Sequence, residues 1–122
     1  MKRDMDLVRK ILFEMERRGS YRKQFDPICI EGYSDEEVSY HIMLLCDAGL
    51  MEGSNVTSSS GFRWIAKSLT WDGHEFLDAA REDTRWNQAM KMVKEKAGSV
   101  TLEVFKEVLV SLMKGALGIG PL

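Results

Sequence analysis

The side chains best suited to acid–base or nucleophilic work are two histidines, His41 and His74, and two cysteines, Cys29 and Cys46. A cysteine nucleophile needs a base within hydrogen-bond reach to hold it as thiolate. His41 and Cys46 share a segment of helical period, but their spacing turns them to different sides of that helix. His41 borders the apolar stripe of the segment, where an imidazole satisfied by its surroundings is the expectation. His74 follows Asp72-Gly73 in the opening turn of a later helix and is expected to bond Asp72 or nearby backbone. There is no CxxC pair, no His-x-x-x-His and no acidic calcium loop. Gly115, Gly118 and Gly120 follow no strand, so they make no phosphate cradle. No catalytic residue, no metal site and no cofactor is assigned on these grounds, and the chain is read as a non-enzyme.

Charge carries more information. Seven acids and no Lys or Arg fall between Gln24 and Phe62. Residues 1–23 hold eight bases against four acids, and the segment beyond Asp83 holds six bases against three acids. Within the acidic middle, Glu36, Tyr40, Met43 and Asp47 recur at helical spacing and form one solvent-facing stripe. Two carboxylates bracketing an aromatic ring and a thioether suit a protein partner; a merely solvated helix face is the alternative. In the basic start, Arg3, Lys10 and Arg17 recur every seven residues and are the candidate phosphate contacts, again against a solvated face.

Both stripes require helices to hold them. Asp4 reads as an N-cap, Leu7, Val8, Ile11, Leu12 and Met15 fall on one face, and Gly19 stops this first helix. Phe13 lies nearly opposite the centre of that stripe and is expected under the C-terminal helices. Residues 20–33 read as a loop with a short strand at Ile28, Cys29 and Ile30. Ser34 and Glu37 form a capping box with Tyr33 and Val38 as its hydrophobic staple. Val38, Ile42 and Leu45 are the buried stripe of this second helix, expected over residues 35–48. Gly49 suits a left-handed cap, with Leu50 returning to Leu45.

A hairpin follows, with strands at 50–52 and 62–69 joined by the Ser-rich loop 53–61. Thr70 caps a third helix that buries Phe76, Leu77 and Ala80. Thr84 is expected to cap a fourth, with Trp86, Ala89, Met90 and Val93 inward and Gly98 at its end. Ser99 or Thr101 opens a fifth with Leu102, Phe105, Val108, Leu109 and Leu112 on one face. Val104 and Val110 lie outside that face, and Leu117 and Ile119 follow. Such a helix is covered either within the chain or by a second copy, which predicts a two-fold homodimer through the last helices.

Helix, short strand, helix ending in Gly-Leu, two-stranded hairpin and Thr-capped helix outline an α+β, winged-helix-like domain with a hairpin wing and extra C-terminal helices. The core is assigned to 1–83 and the helical extension to 84–122, within one domain. One helix of the usual three-helix core has no clear period here.

The opening Met1-Lys2-Arg3-Asp4-Met5-Asp6-Leu7-Val8-Arg9-Lys10-Ile11-Leu12 resembles that of the family called domain of unknown function 2513. So do Gly32-Tyr33-Ser34, Tyr40-His41, Ala48-Gly49-Leu50 and Leu69-Thr70-Trp71-Asp72-Gly73-His74-Glu75-Phe76-Leu77-Asp78, with Trp86 beyond. The resemblance implies a winged-helix variant in a bacterial, prophage or mobile-element setting. It implies no activity, cofactor or catalytic residue.

Composition sets the remaining bounds. At 122 residues, 44% hydrophobic and 30% charged, the chain matches a soluble globular domain and neither a disordered nor a disulfide-stapled one. A charged N-terminus and the lack of any spanning stretch predict a cytoplasmic protein with no membrane contact. Winged helices often read DNA through the second helix, using Arg, Lys, Asn or Gln. Here that helix is acidic, and a phosphate backbone would be repelled. The expectation is therefore a non-catalytic module for an unknown protein partner. A DNA-binding regulator that uses the basic N-terminal helix is the alternative.

Overall fold

The computed structural model describes residues 1–18, 27–96 and 101–118. Along them run α1 (Met5–Arg18), α2 (Asp35–Asp47), β1 (Met51–Asn55), β2 (Trp64–Leu69), α3 (Trp71–Ala80), α4 (Asp83–Lys96) and α5 (Leu102–Ala116). The described chain is thus α+β, with five helices and one two-stranded antiparallel sheet. It forms two compact units, Met1–His74 and Glu75–Leu122, whose boundary falls inside α3.

In the first unit α1 begins as its sequence predicts. Asp4 Oδ1 accepts from the backbone N–H groups of Asp6 and Leu7, at 2.9 and 3.2 Å. Leu7, Val8, Ile11 and Leu12 are buried. Each such side chain removed from water contributes about 2 kcal/mol, which outweighs any single cap. α2 packs against α1 and both strands, and it buries Val38, Ile42 and Leu45 together with Ser39 and His41.

Both ends of α2 are closed by local chemistry. Ser34 Oγ accepts from Glu37 N at 3.1 Å and Glu37 Oε1 accepts from Ser34 N at 3.0 Å, completing the capping box. At the other end Leu50 N donates to Leu45 O and Gly49 N to Cys46 O, both at 3.0 Å, around a Gly49 φ of 78°. This is the Schellman arrangement, and the positive φ is why glycine stands there.

The expected strand at Ile28, Cys29 and Ile30 is not formed. Among the described residues the sheet has only β1 and β2, so this segment has no described ladder to join, and Ile28 is instead held as a single buried side chain. The hairpin also differs from expectation. β1 runs on to Asn55 into the Ser-rich stretch, and β2 begins at Trp64. The register shifts between Glu52 and Gly53, where Glu52 faces Ser68 but Gly53 faces Ala66. A Cβ at Gly53 would stand 2.5 Å from the Ile65 carbonyl oxygen. The bulge therefore depends on the missing side chain.

In the second unit α4 is capped by Glu82, not by Thr84 as the sequence suggests. The two carboxylate oxygens of Glu82 accept from Thr84 N and Arg85 N at 3.0 and 3.1 Å. Those N–H groups hold the Glu82 carboxyl below its usual range. Thr101 is the N-cap of α5, accepting from Val104 N at 3.2 Å. Phe105 packs edge-on to Trp86, with ring centroids 4.9 Å apart, and lies 6.5 Å from Phe76. These rings and Ala89 and Leu109 are buried. Leu102, Val108, Val110 and Leu112 are half-buried, whereas Val104 and Leu117 are exposed. Gly19, the expected end of α4 at Gly98, and Ile119 lie outside the described residues.

Candidate functional site

The acidic stripe of α2 is built as its spacing requires. Glu36 and Asp47 are exposed at its two ends, and Tyr40 and Met43 are half-buried between them. At the helical rise the face is about 16 Å long. Tyr40 is steadied by an edge-on contact with the His41 ring, with centroids 5.6 Å apart. Near Glu36 a groove opens between the first turn of α2 and the hairpin loop, lined by Asp35, Val56, Ser58, Phe62 and Arg63 among others. Arg63 reaches Asp35 at 4.0 Å across it. Glu36 and Asp47 carry no ion pair among the described residues. The last turn of α2 contains no base at all.

The candidate phosphate contacts are arranged differently. Arg3 is exposed but precedes α1, so the helical repeat spans only Lys10 and Arg17. Lys10 Nζ sits 5.4 Å from the centroid of the Tyr33 ring. Arg17 is clasped by Glu14, with Nε donating to Oε2 at 2.9 Å. That hydrogen bond and the neighbouring positive charges hold the Glu14 carboxyl below its usual range, against a smaller opposing effect of burial. Arg18 donates to Pro27 O at 2.8 Å. Phe13, expected under the C-terminal helices, lies half-buried beneath the Arg9 guanidinium, 5.0 Å from its centroid. It lines a shallow groove with Lys10, Cys29 and Ile30.

His41 occupies a structural position. Its Nε2 accepts from Asp4 N at 2.8 Å and its Nδ1 donates to Glu37 O at 2.7 Å. The tautomer follows from the partners, since a backbone N–H can only donate and a carbonyl can only accept. The ring is 1% exposed and has no nitrogen left for a substrate. Cys46 is half-buried, and burial, Asp47 and Glu52 push its thiol up, away from the thiolate. Cys29 is exposed. His74 is also exposed, and its backbone N–H bonds Thr70 O. Among the described residues no three His, Cys, Asp or Glu side chains gather as metal ligands, and no helix is long and apolar enough to cross a membrane.

One exposed aromatic belongs to the same unit. Trp71 opens α3 and is 79% exposed. In the sequence it is legible only within the Leu69–Asp78 motif. Its place directly after the capping Thr70 gives no signal of exposure, since Met5 and Leu102, which follow the caps of α1 and α5, are half-buried.

Comparison with known proteins places this chain among relatives. An uncharacterized protein of Haemophilus influenzae is 38% identical over 117 residues, covering 96% of this chain and 99% of the relative. No solved structure matches. The model of the family described as hypothetical protein (DUF2513) matches residues 2–99. The chain belongs to the DUF2513 family.

Proposed function

We propose that this chain is a non-catalytic binding module of winged-helix type that meets a protein partner through Glu36, Tyr40, Met43 and Asp47 of α2. The order α1, α2, hairpin and α3, with α2 passing through Gly49-Leu50 into β1, supports the winged-helix reading. The observation that carries the function is the state of the α2 face. Its two carboxylates stand in water with no internal base, one of them at the helix end where a negative charge is least favourable. Stability alone does not select that arrangement. A helix used to read a DNA groove would carry donors instead. The setting we propose is the bacterial cytoplasm, in prophage or related mobile elements.

The test is capture from the native host by the tagged chain and by an E36K/D47K variant, with thermal melting of both. Bound protein is expected to be lost from the variant while its melting stays within about 1 kcal/mol of the parent. Capture that survives the charge reversal refutes the α2 face. A salt-dependent shift of duplex DNA that disappears in K10E/R17E would favour a regulator acting through α1.

A further inference from the structure

We infer that the partner presents arginine side chains, and that Trp71 anchors them beside the C-terminal turn of α2; this rests on the α2 reading above. The starting observation is the exposed indole. Leaving so large an apolar group in water forgoes the free energy of burying it. Trp71 is also held in place by its neighbours. Thr70 Oγ1 donates to Gly49 O at 2.6 Å, and Thr70 N donates to Leu50 O at 3.1 Å. On the other side, Gly73 lies so near the chain that a Cβ there would come 1.9 Å from Leu50 O. The residues flanking Trp71 are thus fixed against the turn that ends α2. Asp47, Ala48 and Gly49 of that turn are exposed, as is Asp72.

The segments that meet at this end of α2 are mainly acidic. Residues 47–54 and 71–74 contain Asp47, Glu52 and Asp72 and no Lys or Arg, against Lys67 on β2 opposite the Glu52/Gly53 bulge. The carbonyl end of α2 adds partial negative charge to Asp47. An aromatic face in such a field attracts a cation through the ring quadrupole. A guanidinium suits it best, because its plane stacks on an indole while its edge donates to carboxylates. A phosphodiester would be disfavoured by the three carboxylates. The complement is therefore an arginine-bearing protein segment laid along α2 from Asp47 toward Glu36.

The test uses the full chain and an octa-arginine peptide at low ionic strength, followed by amide and indole nuclear magnetic resonance. Trp64, Trp71 and Trp86 each give an indole N–H signal, and W71A identifies one by its loss. The peptide is expected to move the Trp71 indole and the amides of residues 47–49 and 72. W71A should weaken binding about three- to fivefold, and W71F should retain most of it. Added salt should weaken it further. A stationary Trp71 signal, shifts confined to residues 36–43, or equal affinity in W71A would each overturn the inference. None of these outcomes touches the α2 reading, which stands or falls on capture by E36K/D47K.

Discussion

The first unit carries two charged helices that treat their charges in opposite ways. On α1 the bases are answered from inside the chain. Arg17 is clasped by Glu14, Arg18 donates to Pro27 O, and Lys10 lies over Tyr33. On α2 the first-turn acids are partly absorbed, Glu37 by the capping box and Asp35 by Arg63, but Glu36 and Asp47 are left to solvent. The lesson is that sequence charge does not by itself mark a surface for use. A charge that meets a partner three or four residues away belongs to the helix. A carboxylate left alone at the negative end of a helix does not serve that helix, and it is the better candidate for recognition.

The contrast can be broken at its frame first. Gly73→Ala would usually help a helix interior. Here the new methyl would collide with the Leu50 carbonyl. We expect a loss of about 3 kcal/mol, seen as a lower urea midpoint, together with displacement of Trp71 from the end of α2. An unchanged midpoint would show that the close approach is not maintained. The second test sharpens the contrast. Asp47→Lys replaces an acid by a base at the carbonyl end of α2, so it should stabilise the fold by about 0.5 kcal/mol while weakening partner capture. A variant less stable than the parent would mean that Asp47 supports the helix after all.

The smallest effect lies on α1. The folded Glu14 carboxyl is held below its usual range, so its contribution is present above the ordinary carboxylate range and is lost as pH falls through the lowered value. Arg17 is then released. This is best read as an acid transition in the Arg17 Nε–H signal, which Glu14→Gln should abolish. A signal unmoved by acid would mean that the clasp is not formed in solution.

Much of the fold was legible because its determinants are short in sequence. Ser34 and Glu37, Gly49 and Leu50, and the stripe through Val38, Ile42 and Leu45 all act within a turn or two, and α2 follows their reading closely. Where the outcome depended on distant partners, the reading failed. Ile28–Ile30 has the composition of a strand but no neighbour to pair with. β1 ran past its expected end because a bulge at Glu52/Gly53 lets pairing continue into polar residues, while β2 began two residues later than expected. One miss was local: Glu82 displaced Thr84 as a cap because its longer carboxylate reaches the N–H groups two and three residues on at once. For the candidate site, the α2 stripe was readable from spacing alone. The exposure of Trp71 needed the third dimension, whereas the clasp of Arg17 by Glu14 joins residues three apart and is open to a reading of spacing.

Asp4 is a junction of five bonds, two of them to its Oδ1. Its Oδ1 caps α1, its Oδ2 accepts from the Tyr33 hydroxyl at 3.1 Å, its carbonyl takes Val8 N, and its own N–H is given to His41. A short stretch ahead of α1 thereby serves as a keystone between the two helices. Trimming or tagging that keeps Arg3, and with it the Asp4 peptide N–H, leaves all five bonds in place, whereas losing Asp4 unfastens α1, Tyr33 and α2 together. The working boundary for any engineered version of this protein lies between those neighbouring positions.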